Sequence, residues 1–402
     1  MSDALLEIAQ HTLTAGAAHL GLSESDRKQL LAPERSLSCS FQLETADGPE
    51  LLQAWRVQHN LRRGPGKGGV RYSEDASLAE VTGLAMIMTL KNALAELPFG
   101  GAKGAVQVDA SSLSDSAREQ LAEALAERFG AFVGPETDIL GPDVGTGSTD
   151  MAAFATSWGT LMGCDGAGVA TGKPTEQGGI ELRSGATAAG CARAIRVARE
   201  RVGLDQSATV AIQGFGALGR ELALLLAADG HRIVAVSDSS GGMFSSDGLD
   251  VEALSEAKQD GTSVADADVD AKAIDSFDVL TCAADIVVPA ALQAAIDPEI
   301  AKAMDTRLVV EGSNAPTTVA GIAVLSERGI PVVPDFAANA GGVVVSWHEW
   351  RTNQGDPAED AEADLGQRLV RINEEAWDRS DHDDVDLRTA AAAIAIERVL
   401  DA

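Results

Sequence analysis

The sequence predicts an α/β fold of more than one domain, and three observations carry that prediction. The chain has 402 residues, against roughly 150 for a common domain, and 45% of them are hydrophobic, enough to bury a real core in each domain. From near residue 183 onward, short apolar runs (ATVAIQ, RIVAVSD, FDVLTC, DIVVPA, RLVVEGS, IPVVPD) alternate with helical stretches such as ELALLLAADG. Continuous Val/Ile/Leu runs of that length indicate a parallel sheet covered on both faces, hence a doubly wound domain. Before residue 183 the pattern is different, with helices and alternating strands punctuated by glycine-rich loops.

The elements follow in order. LLEIAQHTLTAGAAHLGL has apolar residues at helical spacing, whereas SCSFQLE and LLQAWRVQHN alternate as strands do. A basic, glycine-rich loop, LRRGPGKGGVRYSED, comes next. Ser77 and Glu80 form a capping box for a helix running to about Leu97, with Pro98 as its stop. PFGGAKGAV is a second glycine-rich loop, residues 115–130 read as a helix, and ILGPDVGTGSTD is rich in turns. After the alternating region, residues 357–379 and 385–401 read as closing helices, and the acidic stretch around 264–275 as a solvated surface segment.

Net charge is −30, with 8 lysines against 23 arginines. Nucleic acid and anionic membrane would repel such a chain, so neither is expected as a partner. Strong acidity is also a lever that halophiles use, and a halophilic source is the expectation, with an acidic mesophilic protein as the alternative. No apolar run is long enough to span a bilayer and the N-terminus lacks a secretory pattern, so a cytoplasmic location is expected. Cys39, Cys164, Cys191 and Cys282 form no C-x-x-C pair and no Cys/His cluster, which argues for buried free thiols and no metal.

Within ATVAIQGFGALGRELALLL, a strand leads into Gly214-x-Gly216-x-x-Gly219 and then a helix. Glycine permits the tight turn and close approach of a pyrophosphate, while the helix N-terminus offers free N–H groups. Asp238 ends the next strand 24 residues after Gly214. This is the context of a Rossmann-like dinucleotide site. Asp238 would suit a ribose 2′-hydroxyl and hence NAD, yet the small Ser239 and Ser240 leave room for a 2′-phosphate, so NAD and NADP both stay open.

Lys67, Lys91 and Lys103 fall within 37 residues, where even scatter of eight lysines would put fewer than one. Lysine, unlike arginine, is a compact charge whose pKa can be lowered. Val81, Leu84, Met88 and Lys91 share a helical face, and Lys67 and Lys103 sit in GPGKGG and GGAKGA. Singly, each could be a snorkelling or exposed loop lysine; together they suit a pocket for a dicarboxylate.

These motifs resemble the glutamate dehydrogenases, within the Glu/Leu/Phe/Val dehydrogenase superfamily. The resemblance runs from about Trp55 to the end through HNLRRGPGKGGVRY, MTLKNALAELPFGGAKG, GPDVGT, TGKPTEQGG, VAIQGFGALG, ADIVVPAAL, VEGSNAPTT, PDFAANAGGVVVSWHEW and LRTAAAAIAIERV. It implies a substrate-binding and oligomerisation domain over residues 1–180, a dinucleotide domain over 181–386, and a helix at 387–402 returning to the first. It implies that Lys67, helped by Ser346, binds the distal carboxylate, that Lys91 binds the α-carboxylate, that Lys103 is the catalytic lysine, and that Asp143 exchanges protons with the amino group. Thr187 and Asn314 would lie near nicotinamide and ribose, and Asn339 would flank the coenzyme. The implied activity is reversible oxidative deamination of glutamate with NAD or NADP, in a homo-hexamer. A leucine- or valine-type dehydrogenase and a non-catalytic nucleotide-binding paralogue are the alternatives; the relatives acting on apolar side chains have an apolar residue at the position of Lys67.

Overall fold

Alternation over residues 35–60 becomes an antiparallel pair, β1 (Arg35–Thr45) and β2 (Gly48–Asn60), registered with Phe41 opposite Leu52. The computed structural model describes residues 2–45, 48–357 and 360–402, and these divide into two units. The first comprises the chain up to Arg183, Val343–Asp364 and Ala392–Ala402. Its short strands β3 (Gly66–Lys67), β4 (Val70–Tyr72), β5 (Gly100–Gln107) and β6 (Asp138–Ile139) complete a sheet of order β1-β2-β5-β3-β6, with β4 on β5. β3 runs parallel to both β5 and β6, which sets the loops after β3 and β6 at one end of the sheet.

Helices α1 (Ser2–His19), α2 (Glu24–Leu31), α3 (Leu78–Leu94), α4 (Asp115–Phe129) and α5 (Ser148–Met162) belong to this unit. Leu121, Leu125 and Phe129 of α4 and Met151, Phe154 and Trp158 of α5 join Phe41, Leu52 and Val106 of the sheet in one core cluster. Half of the expected capping box forms: the Ser77 hydroxyl accepts the Glu80 N–H, while the Glu80 carboxylate accepts from Arg71 at 2.5 Å. α3 is also more than an amphipathic stripe, since every residue from Gly83 to Leu94 is buried, making it an interior helix.

The second unit comprises Ser184–Gly342 and Leu365–Ala391. β7 (Thr209–Gln213), β8 (Arg232–Asp238), β9 (Gly241–Phe244), β10 (Lys272–Ile274), β11 (Ile286–Pro289), β12 (Leu308–Val310) and β13 (Val332–Val333) form a sheet of order β10-β9-β8-β7-β11-β12-β13. The five strands from β8 to β13 in that order are parallel, as the apolar runs predict. Helix α6 (Ala186–Arg201) precedes these strands, α7 (Ala217–Ala228), α8 (Val251–Gln259), α9 (Pro298–Ala303) and α10 (Val319–Glu327) connect them, and α11 (Asp335–Ala338) follows the last.

Several sequence expectations fail here. The sheet carries an antiparallel edge, β9 and β10, and β10 lies inside the acidic stretch read as a solvated segment. FDVLTC holds a 3₁₀ turn, Asp278–Leu280, whose Val279 and Leu280 are buried without being a strand. Length and apolarity alone do not separate a buried turn from a buried strand. Of the cysteines expected to be buried, Cys191 is and Cys164 is exposed.

Three helices close the chain: α12 (Gly341–Asn353), α13 (Ala361–Asp383) and α14 (Leu387–Leu400). Positions 358–359 of the expected closing helix lie outside the described residues. α12 belongs to the first unit from Val343 onward, where the Trp350 ring meets Phe99 edge-on at 5.3 Å and its Nε1 donates to the Pro135 carbonyl. The last turns of α14 are held to the same unit by Arg398, which donates to the Leu94 carbonyl at 2.6 Å. Among the described residues, no helix is long and apolar enough to cross a membrane.

Candidate active site

β3 and β5 are paired so that Lys67 lies opposite Gly101, two residues before Lys103. Both lysines are 3% exposed. The Lys67 ammonium donates to the Leu140 carbonyl at 3.0 Å, just past the end of β6. Burial lowers its pKa to about 7; Arg183 and Arg56 push the same way, against Glu349 and Asp138. Lys103 donates to Asp143 Oδ2, and its pKa too is lowered by burial, with Asp143 opposing and Arg71 and Arg56 assisting.

Asp143 follows β6 and is engaged on both oxygens, with Oδ1 accepting from Arg71 Nε at 2.9 Å and from the Val144 N–H at 2.8 Å. Burial alone would raise its carboxyl, but Lys103 and Arg71 hold it well below the usual carboxylate range. Beneath the lysines, Arg56 and Asp138 form a fully buried bidentate pair at 2.5 and 2.9 Å, joined by Gln58 Nε2. That pair ties β2 to β6 across the two lysine-bearing strands and fixes the frame on which the ammonium groups sit.

Lys91 is 6% exposed in the last turn of α3. The next residue, Asn92, donates to the Gly100 carbonyl at 2.7 Å and to the Lys67 carbonyl at 3.4 Å. The turn carrying Lys91 is therefore bonded to the strands carrying the other two lysines. Ser346, buried on α12, precedes Glu349 by three residues and so shares its face of the helix.

Sequence reasoning missed four members of this cluster. Glu349, wholly buried, accepts from the Gly172 N–H at 2.7 Å and from the Lys173 ammonium at 3.0 Å. Lys173 also donates to the Ala167 and Ala170 carbonyls, pinning this loop to α12. Arg183 interacts electrostatically with Lys67, Glu349 and Asp143, and among the described residues its buried Nε has no hydrogen-bond partner. Arg71 bridges Asp143 and Glu80. The scarcity of lysine was the usable signal for Lys173, which stands beside a glycine in TGKP; arginines are too common here to be picked out that way.

In the second unit, Gly214 follows β7, between β8 on one side and β11 on the other, where the strand order reverses. It adopts φ +104°, and a Cβ there would strike Ala291 at 2.6 Å. A Cβ on Gly219 would come within 1.8 Å of the Gly214 carbonyl oxygen, whereas one on Gly216 would meet nothing within 4 Å. Gly216 is the N-cap of α7 and makes no side-chain cap, so the open space adjoins the first N–H groups of a 12-residue helix. That cradle fits a pyrophosphate.

Asp238, at the end of β8, accepts from the Ser240 N–H and hydroxyl on one oxygen, and from the Val264 N–H and Lys258 on the other. Burial would raise its carboxyl; Lys258 and Ser240 hold it well below the usual range. Ser239 is exposed beside it. Asn339 donates to the Gly312 carbonyl at 3.0 Å, which sets it against the turn holding Asn314. Behind that turn, buried Glu311 accepts from Arg388 at 2.5 Å and from the Asp335 N–H, while Asp335 accepts from the Ala315 N–H. Thr187 lies in the first turn of α6, next to Ala186, whose carbonyl a Cβ on Gly341 would approach to 1.8 Å. Among the described residues, no cluster of three or more His, Cys, Asp or Glu is placed to hold a metal.

Comparison with known proteins agrees with both halves. A family model for the Glu/Leu/Phe/Val dehydrogenase dimerisation domain matches residues 33–159, and one for the Glutamate/Leucine/Phenylalanine/Valine dehydrogenases matches residues 178–402. The chain is 39% identical to a glutamate dehydrogenase of Thermotoga maritima, over 98% of this chain and 96% of that one. It is 38% identical to the NADP-specific glutamate dehydrogenase A1 of Halobacterium salinarum, over 98% and 96% respectively. Among solved structures, a hetero-hexameric glutamate dehydrogenase from Thermus thermophilus in a leucine-bound form superposes with a TM-score of 0.92 at 33% identity, covering 99% of this chain and 96% of that one. A two-domain α/β fold, a glycine cradle at a strand-order switch and matches along nearly the whole length together show that the chain belongs to the Glu/Leu/Phe/Val dehydrogenase family.

Proposed function

We propose that the chain catalyses the reversible oxidative deamination of L-glutamate to 2-oxoglutarate and ammonia. The observation that carries this reading is Lys67. Among the described residues its buried ammonium has one hydrogen bond, to a carbonyl, and two donors to spare. A buried cation without a bonded carboxylate is costly, and a substrate carboxylate relieves that cost. An apolar side chain would not, which weighs against a leucine- or valine-type substrate.

In this reading Lys67 and Ser346 hold the distal carboxylate, with Arg183 within electrostatic reach, and Lys91 holds the α-carboxylate. A nicotinamide coenzyme, NAD or NADP, supplies the hydride acceptor and is held by Gly214, Gly216, Gly219, Asp238, Ser239, Thr187, Asn314 and Asn339. Lys103, its pKa lowered by burial, takes a proton from the water that attacks the substrate iminium carbon. Asp143 keeps the resulting ammonium placed and relays that same proton from Lys103 to the departing amine. General acid–base transfer of this kind contributes typically about 10²–10⁴-fold.

We further place the enzyme in a salt-rich cytoplasm as a homo-hexamer. Relatives include enzymes from Halobacterium salinarum, a solved neighbour is a hetero-hexamer, and one matched model is a dimerisation domain. The deciding experiment follows NADH and NADPH absorbance with ammonium and either 2-oxoglutarate or 4-methyl-2-oxopentanoate, at low and molar potassium chloride. Oxidation with 2-oxoglutarate well above that with the branched acid is expected. The reverse preference would give the substrate to the branched-chain class, and no oxidation at all would favour a non-catalytic paralogue.

A further inference from the structure

The carboxylate that ordinarily meets a ribose hydroxyl is already occupied in this chain. A carboxylate offers about four acceptor positions. Those of Asp238 take the Ser240 N–H at 2.8 Å, the Ser240 hydroxyl at 2.5 Å, the Val264 N–H at 3.0 Å and the Lys258 ammonium. A ribose 2′-hydroxyl has no vacant acceptor there unless one of these bonds breaks. Lys258 projects from α8, twenty residues along the chain, so nothing in the local sequence around Asp238 announces it.

The pair changes the electrostatics of that end of the site. An isolated aspartate repels a 2′-phosphate, but Asp238 with Lys258 is net neutral. The Lys258 side chain remains 29% exposed, and among the described residues its ammonium has one partner, which leaves two donors uncommitted. A lysine ammonium serves well as a point charge for phosphate. Ser239, exposed one residue past Asp238, adds a hydroxyl at the same corner.

We propose that Lys258, anchored by Asp238, reads the ribose 2′-phosphate, so that this coenzyme site takes NADP at least as well as NAD. The inference rests on the dinucleotide reading of the second unit and assigns its specificity to one residue. Asp238 thereby serves the coenzyme through the lysine it anchors, in place of a direct bond to the ribose.

The test is calorimetric binding of 2′,5′-ADP, 5′-AMP and NADH to the full chain and to Lys258→Met and Lys258→Arg. In the unsubstituted protein, 2′,5′-ADP should bind roughly tenfold or more tighter than 5′-AMP. Lys258→Met should abolish that difference while leaving 5′-AMP within about threefold, and Lys258→Arg should keep most of it. An unchanged ratio in Lys258→Met, with NADH still bound, overturns the proposal alone. Failure of NADH and both fragments to bind overturns the dinucleotide reading with it. If Lys258→Met does not fold, the unsubstituted protein decides, because equal binding of the two fragments there sinks the proposal.

Discussion

Lys67 combines specificity and proton chemistry in one side chain. With a pKa near 7 in the free enzyme, against an ordinary 10.5, it is largely neutral in mildly alkaline solution. A bound distal carboxylate favours the charged form and raises the pKa again. Between those two values, glutamate binding must therefore take up a proton; below about pH 6, where the amine is charged beforehand, uptake from this group vanishes. Calorimetry in buffers of different ionisation enthalpy should show the uptake at pH 8, and the KM for glutamate should climb as pH rises through 7. Lys67→Leu should remove the uptake. It should also lower kcat/KM for glutamate by about 10²-fold or more, since losing one partner of a buried charge pair costs about 2–5 kcal/mol, while turnover of leucine or norvaline falls far less. Equal losses for all three substrates would take the distal-carboxylate role away from this residue. The three lysines were legible in the sequence because they are scarce. Glu349 and Arg183 were not, because acidic residues and arginines are abundant and their place in the cluster comes only from long-range packing of α12 and the 167–183 loops.

At the scale of the element, the glycine loop divides into positions that serve the turn and one that serves the ligand. Gly219→Ala forces a Cβ to 1.8 Å from a backbone oxygen, so a large loss of thermal stability, several kcal/mol, is expected. Gly216→Ala meets nothing within 4 Å and keeps an allowed backbone at φ −84°, so its melting temperature should stay within about 2 °C. Its NADH dissociation constant should nevertheless rise about tenfold, because the added methyl fills the cradle at the N-terminus of α7. Comparable melting losses for both variants would mean the space at Gly216 is structural. This loop could be read from sequence because a strand, three spaced glycines and a helix are contiguous. β9 and β10 could not: four and three residues long, they have no period to detect and exist only because β8 offers an edge. The Lys258–Asp238 bond escaped for the same reason, since α8 reaches it by tertiary packing.

For the whole molecule the governing quantity is a net charge of −30. Self-repulsion of that size weakens the folded state until salt screens it, and the screening length shrinks from about 10 Å at 0.1 M to about 3 Å at 1 M. The melting temperature should rise by roughly 5 °C or more between dilute buffer and 2 M potassium chloride, with a matching fall in the unfolding rate. A flat response would show that the acidity is not a salt adaptation. Composition made this property visible at once, whereas the division of the chain into units did not follow from it. The first unit recruits Val343–Asp364, which carries Ser346 and Glu349, out of a stretch whose pattern reads as continuous with the second.

That recruitment has a consequence for biosynthesis. Three separated lengths of chain build the first unit, the last of them Ala392–Ala402, where Arg398 holds the Leu94 carbonyl and Arg63 holds the carbonyl of Arg398. A ribosome that has made the lysine-bearing sheet, which ends at Ile139, has still to reach Ala392–Ala402 before those contacts exist. The nascent first unit must wait, partly unsatisfied and open to chaperones, until residues 392–402 have emerged.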